Sequence, residues 1–488
     1  MHLIYEKVIV GVIIIVNFVM ILKVFFILNL DCYAITTEQL HKTFLQAEQA
    51  INNKNDVEFL ELSSTLVDYP LYFYLRYQWL LKHLSETQKV QQFLEENESP
   101  LYAGQLREKW LEYLYKNKRW VLYVENHTSI KSKQLECRYQ WAKYQSSEKK
   151  KVLQATKNIW LTGHSLPEDC DELLAKFKQS EFLTQKLIWN RFKLAIYRNE
   201  ETLAGFVQRR IEGDIAQADA RKWRLLLKNI NLISEPKFLK NISRIERADM
   251  LVYAIQQMVT KNLGVAMKVW DDQKKSQGLS ELQISKVERS IAMYLVFSKS
   301  KKAYQYFRGL KQTDKVIRAW EVRAALITGN WVLVQNALNK MPEEEISMAR
   351  WQYWQARTYL QTNQFTKALE IFGHLSKERS YYGFLAADYV LKGYALYHQP
   401  IVVDDKEVNK LLKTKGFAVI NEFRGLQRIA EAKQYWDEVT SQYEKLDLLV
   451  AAKIADNWKW HKQAILAVAR VKEWNDINLR FPINFEEI

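Results

Sequence analysis

Two stretches of this chain, Trp320–Leu338 (WEVRAALITGNWVLVQNAL) and Trp354–Phe372 (WQARTYLQTNQFTKALEIF), superimpose without a gap at a separation of 34 residues. Trp320 falls on Trp354, Arg323 on Arg357, Leu326 on Leu360, Thr328 on Thr362 and Trp331 on Phe365. A unit of that length holds two helices and the turn between them. Ala356 and Ala368 stand where two helices must approach closely, and Tyr359 and Phe372 supply the bulk that fills the space beside them. A single helix pair leaves one apolar face uncovered, so pairs have to stack on one another. The expected fold is therefore all-α: a right-handed superhelical stack of helix pairs, like a tetratricopeptide solenoid.

The rest of the composition agrees. At 488 residues the chain is longer than one hydrophobic core serves, and a repeat array solves that problem without several separate domains. Only 14 Gly and 7 Pro punctuate it while 48% of the residues are apolar, which favours long helices with short connections over a turn-rich β architecture. Elsewhere the helical spacing is weaker. Leu225, Leu226, Ile230 and Ile233 read as one core stripe, and Ile291–Phe297 as a buried helix. Pro70, Pro100, Pro167, Pro236, Pro342 and Pro400 are placed in interhelical turns. After Pro400, Asp404 and Asp405 offer caps for a new helix, so a domain boundary is set near residue 395.

The first 34 residues differ in kind. Val8–Leu22 is apolar except for Asn17, a second apolar run reaches Leu30, and Cys32-Tyr33-Ala34 puts small residues where a signal peptidase reads. A cleaved signal peptide and an uncleaved membrane anchor in the inner membrane both stay open, and either exports the remainder. Of the three cysteines, Cys137 and Cys170 remain after such a cleavage. In an exported chain that pair reads as a disulfide; in a cytosolic one, as two buried thiols. The 71 Lys and Arg against 56 Asp and Glu leave a formal charge of +15, which suits an anionic polymer or simply a well-solvated basic surface.

Several strings go beyond generic helix: Asp68–Leu80 (DYPLYFYLRYQWL), Trp160–Leu174 (WLTGHSLPEDCDELL), Trp351–Leu360 (WQYWQARTYL), Arg379–Val390 (RSYYGFLAADYV) and Leu479–Glu487 (LRFPINFEE). In this order and spacing the chain resembles the soluble lytic murein transglycosylases over nearly all of residues 36–488. The resemblance implies a U-shaped superhelical domain at 35–394, a small helical linker domain at 395–478 that closes it into a ring, and, at 479–488, the start of a lysozyme-like catalytic domain. It implies a periplasmic protein working on peptidoglycan glycan strands by non-hydrolytic cleavage of the MurNAc–GlcNAc bond. It also implies a disulfide between Cys137 and Cys170, which match a cysteine pair of the family. Tyr381, Tyr382 and Gly383 match a family stretch near the passage to the linker; as plain residues they read as core packing.

The family's chemistry resides in a Glu-Ser motif and later Gly- and Asn-containing segments beyond the Arg480-Phe481-Pro482 stretch. Within the sequence up to Ile488 the one Glu-Ser with a superficial claim is Glu98-Ser99, set in an interhelical turn and given no catalytic role. The carboxyl run Glu343–Glu345 follows Pro342 and reads as the acidic first turn of a helix. A glycosidic bond needs an acid of raised pKa held in a sugar cleft, and none is evident. No catalytic residue, cofactor, nucleotide motif or metal-ligand spacing is expected, and this chain on its own is expected to be inactive. Expected partners are peptidoglycan and, open beside it, a separately encoded catalytic domain or other cell-wall proteins. Nucleic acid is not expected, because an exported chain rarely meets it. The competing reading is a periplasmic helical-repeat scaffold that binds proteins on its concave face.

Overall fold

The computed structural model describes residues 36–96, 99–128, 132–235, 237–275, 277–311 and 313–482. The segment read as signal peptide or anchor, with Cys32, and the last residues of the 479–488 stretch lie outside them. All regular structure among the described residues is helical. No helix among them is long and apolar enough to cross a membrane.

The described residues form two compact units, 114–399 and 36–113 with 400–482. The first is the repeat array. Its helices pack mainly on their neighbours in sequence, as in Gln185–Tyr197 with Glu201–Gln208, Arg244–Lys261 with Leu263–Gln273, Lys315–Thr328 with Trp331–Leu338 and Ala349–Gln361 with Phe365–Leu375. The 34-residue period corresponds to the last two of these pairs. Ala356, Ala368 and Phe372 are fully buried in one cluster with Tyr353 and Leu375, and Tyr359 packs against it. Both repeated arginines lie against aromatic rings, though not the same ones in the repeat: Arg323 lies 4.6 Å from the Trp320 ring and 5.4 Å from that of Trp351, and Arg357 lies 5.2 Å from Tyr389 and 5.9 Å from Trp331. Each guanidinium thus ties its own helix to a ring on another helix of the stack.

One turn design recurs in both units. Lys54, Lys118, Asn199, Lys299, Asn363, Gln427 and Lys459 all have φ between 53° and 61°. At each, the following residue's N–H reaches back to a carbonyl five residues earlier: Asn55 to Ala50, Arg119 to Leu114, Glu200 to Ala195, Ser300 to Leu295, Gln364 to Tyr359, Arg428 to Phe423 and Trp460 to Ala455. This is the left-handed helix stop that satisfies the last carbonyls, a position glycine usually fills. Gly329 (φ 72°) stands at the place equivalent to Asn363 in the 34-residue repeat.

One local reading needs correction. The stripe Leu225–Ile233 is not one helix: Asp214–Lys228 stops at Asn229, which is extended, and a 3-10 turn Ile230–Ser234 follows. Leu226 and Ile233 are buried but Leu225, inside the same helix as Leu226 and about 100° around it, is about half exposed. The cap after Pro400 is as the sequence indicated: Asp404 accepts the Lys406 N–H and starts the helix Asp405–Leu412. Pro100 opens Pro100–Lys116, where a missing N–H costs nothing, and Pro342 immediately precedes Glu343–Ile346. Pro236 is outside the described residues.

Candidate functional site

The second unit joins the two ends of the described chain. Thr37–Asn52 and Tyr72–Lys82 lie against Lys415–Gly425 and Ile429–Ser441 through a layer of rings: Tyr74 meets Phe423 at 5.1 Å between centroids and Phe73 meets Tyr435 at 5.9 Å. Three carboxylates fasten this seam. Glu422 Oε2 lies 2.7 Å from both His41 Nε2 and Tyr69 Oη, the phenol donating. Glu48, buried, pairs with Arg428 and accepts Gln78 Nε2 at 2.8 Å. Glu438 accepts the Ser99 hydroxyl and the Leu101 N–H, each at 2.9 Å. Burial, reinforced by the Glu422 carboxylate, pushes the Tyr69 phenol far above its usual range, so it stays a donor at any physiological pH. Ser99, the described half of the Glu98-Ser99 pair, is therefore a buried structural donor; Glu98 lies outside the described residues.

In the repeat unit, Cys137 on Lys133–Ser146 and Cys170 at the end of the turn Glu168–Cys170 are joined by a disulfide, both sulfurs buried. The turn is tied down beside it as well: Asp169 pairs with Arg138 and accepts Gln134 Nε2 at 2.8 Å. Glu345, the last of the acidic run, is buried and takes Arg318 through two bonds of 3.0 and 2.5 Å, which holds its carboxyl below the usual range. Tyr382 packs on Tyr353 at 5.5 Å while Tyr381 is mostly exposed. Gly383 is obligatory there, since a Cβ would stand 2.2 Å from the Glu378 carbonyl oxygen.

One buried cluster of charges in the repeat unit gives no signal in the sequence. Glu246 is buried on Arg244–Lys261 and receives Trp223 Nε1 and Lys193 Nζ, each at 2.6 Å, and Trp189 Nε1 at 3.2 Å. Lys193 also reaches Asp249 at 2.9 Å. Burial works against its ammonium, but Tyr197, Glu246 and Asp249 together hold its pKa above the usual lysine value. In RIERAD this glutamate looks like one more solvated charge on a helix; only the indoles brought from two other helices reveal its place. With three donors on it, Glu246 is a structural acceptor and not a free acid. Among the described residues no group of three or more His, Cys, Asp or Glu could hold a metal ion.

Residues 410–477 match the family described as the soluble lytic murein transglycosylase L domain. The soluble lytic murein transglycosylase of Escherichia coli K12 is 23% identical over 467 residues, spanning 92% of this chain and 70% of that protein. A putative soluble lytic murein transglycosylase of Haemophilus influenzae is 33% identical over 150 residues, 31% of this chain and 24% of that one. Among solved structures, the lytic transglycosylase Slt of Pseudomonas aeruginosa superimposes with a TM-score of 0.78 at 24% identity, covering 91% of this chain and 73% of that chain. The 70 kDa soluble lytic transglycosylase of Escherichia coli gives 0.74 at 22%, covering 92% and 73%, and the latter has also been solved in complex with bulgecin A. The all-α superhelical fold is common to this chain and these solved structures.

Proposed function

The chain belongs to the soluble lytic murein transglycosylase family, and from that premise we propose that it is a periplasmic, peptidoglycan-engaging helical body whose described residues bind glycan strands without cleaving them. The observation that carries this reading is the seam: the stretch matched as the family's L domain is the one that grips the N-terminal helices, through Glu422, Arg428 and Glu438. The chain is read as a superhelical part at 35–394 and a linker at 395–478; what supports the boundary between them is that one compact unit ends at Gln399, although the other groups 36–113 with the linker. Binding rather than bond cleavage is favoured because the buried glutamates are already committed. Glu48, Glu246, Glu321 and Glu345 each hold a cation, and Glu246 two indoles besides. A carboxylate so held is turned onto its structural partners and is not presented to a leaving oxygen.

The test is a pull-down of the purified full chain with isolated peptidoglycan sacculi, with the supernatant analysed for muropeptides. Retention on sacculi without released anhydromuropeptides is expected. No retention sinks the peptidoglycan reading and favours the protein scaffold; release of anhydromuropeptides sinks the claim of binding without cleavage.

A further inference from the structure

Phe206, on Glu201–Gln208 in the repeat unit, is 37% exposed, and three cations stand around its ring. Lys178 Nζ, at the end of Asp171–Lys178, lies 5.6 Å from the ring centroid, Arg210 Cζ 4.4 Å and Arg209 Cζ 5.4 Å. The backbone at Arg210 is fixed in place, since its carbonyl accepts Gln185 Nε2 at 3.3 Å and the Glu212 N–H donates to Gln185 Oε1 at 3.0 Å. A fourth cation, Arg191 on Gln185–Tyr197, is 4% exposed and lies 4.3 Å from the centre of the Trp160 ring. Its Nε and Nη1 are sealed from solvent without an acceptor, and Nη2, likewise without one, is the nitrogen that keeps access. Among the described residues none of the four cations has a carboxylate within ion-pair distance.

Buried charges are normally paired, and a buried cation with no counter-ion is among the costlier features a fold can carry. The carbonyl ends of Asp171–Lys178 and Glu201–Gln208 account for Lys178 and Arg209 in part. Arg191 has no such partner: it sits in the middle of its helix, against the Trp160 face alone. Arg191, Arg210 and Lys178 are also close enough to oppose one another. Burial and then Arg210 bring the Arg191 guanidinium down to about 10. Burial, Arg210 and Arg191 lower the Lys178 ammonium, with Asp171 working the other way. The missing partner is therefore an anion from outside the chain. A single carboxylate would balance one of these cations, whereas a compact oxyanion of higher charge can meet the ammonium and two guanidinium groups on different oxygens. We infer that this cluster binds a phosphate group, with Lys178, Arg210 and Arg191 as its donors and Phe206 as the apolar floor against which the exposed cations are held.

Such a phosphate occurs on a soluble ester and on a lipid headgroup. The assignment stands apart from the peptidoglycan reading, and its test is calorimetric titration of the full chain with inorganic phosphate at fixed ionic strength, with acetate as the singly charged control. Phosphate is expected to bind saturably and at least about tenfold more tightly than acetate, and Lys178→Gln and Arg210→Gln each to lose about tenfold. Lys462→Gln, which removes the same charge from an exposed position in the other unit, should leave binding unchanged. Lys178 is partly exposed at a helix end, so its variant folds even if Arg210→Gln does not. Absence of saturable phosphate binding, equal affinity for acetate, or an equal loss in Lys462→Gln overturns the assignment. Glycerol phosphate, and phosphatidylcholine vesicles with and without phosphatidic acid, then separate the sources. Lys178-dependent binding of the soluble ester alone assigns the first and Lys178-dependent capture by the phosphatidic acid vesicles the second, whereas binding of either that is indifferent to Lys178 overturns the site.

Discussion

The two units solve the same problem at opposite sequence distances. In 114–399 the polar ties join near neighbours: Arg318 and Glu345 are 27 residues apart, Cys137 and Cys170 are 33, and Lys193 and Glu246 are 53. In the other unit His41 reaches Glu422 across 381 positions, Arg428 reaches Glu48 across 380 and Ser99 reaches Glu438 across 339. Loop-closure entropy rises with separation, so the seam has to be specified more exactingly than the repeats. The difference shows in the chemistry. Adjacent helix pairs are held chiefly by interchangeable aromatic and alanine packing, whereas the seam adds three carboxylates, each with two partners, that admit one register.

If the repeats are fastened locally, the largest single loss should come from the tie that closes a loop there. Cys137→Ser or Cys170→Ser is expected to cost about 3 to 4 kcal/mol in the chain-entropy account. Hydrogen exchange should locate the loss in Lys133–Ser146 and the following helices, with the seam helices unaffected. A uniform loss over both units would mean that they do not melt independently, and unchanged melting in both variants under non-reducing conditions would dispose of the structural role.

The reciprocal experiment is Arg428→Ala, which strands Glu48 in a buried site with only Gln78 left on it. Because Arg428 retains some solvent access, a cost of about 2 to 3 kcal/mol is expected, below the full penalty for breaking a wholly buried pair. Exchange should quicken in Thr37–Asn52 and Ile429–Ser441 and stay unchanged around Cys137. Faster exchange across the repeats would erase the distinction between local and distant fastening.

How much of this the sequence discloses follows from the same distances. The 34-residue period was legible because Trp320, Arg323 and their counterparts recur within one short window, and Asp404 could be read as a cap because a cap is settled by residues two or three positions away. The Cys137–Cys170 pairing needed the family resemblance beside the cysteine count. Nothing near His41 announces Glu422. Glu246 was hidden for a related reason: what makes it unusual is burial, and that is imposed by helices distant in sequence.

An acid titration sharpens the contrast on a smaller scale. Glu345 owes its lowered pKa first to the Arg318 hydrogen bonds, so its stabilising contribution is present above the unfolded value near 4.5 and is lost as pH falls through the lower folded value. Glu345→Gln should cost about 1 to 2 kcal/mol at neutral pH, and the gap to the parent chain should close on acidification below about pH 4. A gap that stays constant with pH would assign the loss to packing instead of charge.

The smallest effect concerns what the units share. A lysine at left-handed φ costs about 1 kcal/mol relative to glycine, and asparagine less. Glycine gives part of that back through its freer unfolded chain. Lys459→Gly in the seam unit and Lys299→Gly in the repeat unit should therefore each stabilise by about 0.5 kcal/mol, and Asn363→Gly should be near neutral, by urea denaturation. Equal gains at Lys459 and Lys299 would show that the turn is a local device indifferent to which unit contains it. That would also explain how a chain with so many turns manages on 14 glycines: the stop is enforced by the helix pair packing around it, and the residue at the left-handed position only has to tolerate it. A loss at Lys459 alone would instead mean that its side chain contributes to the seam.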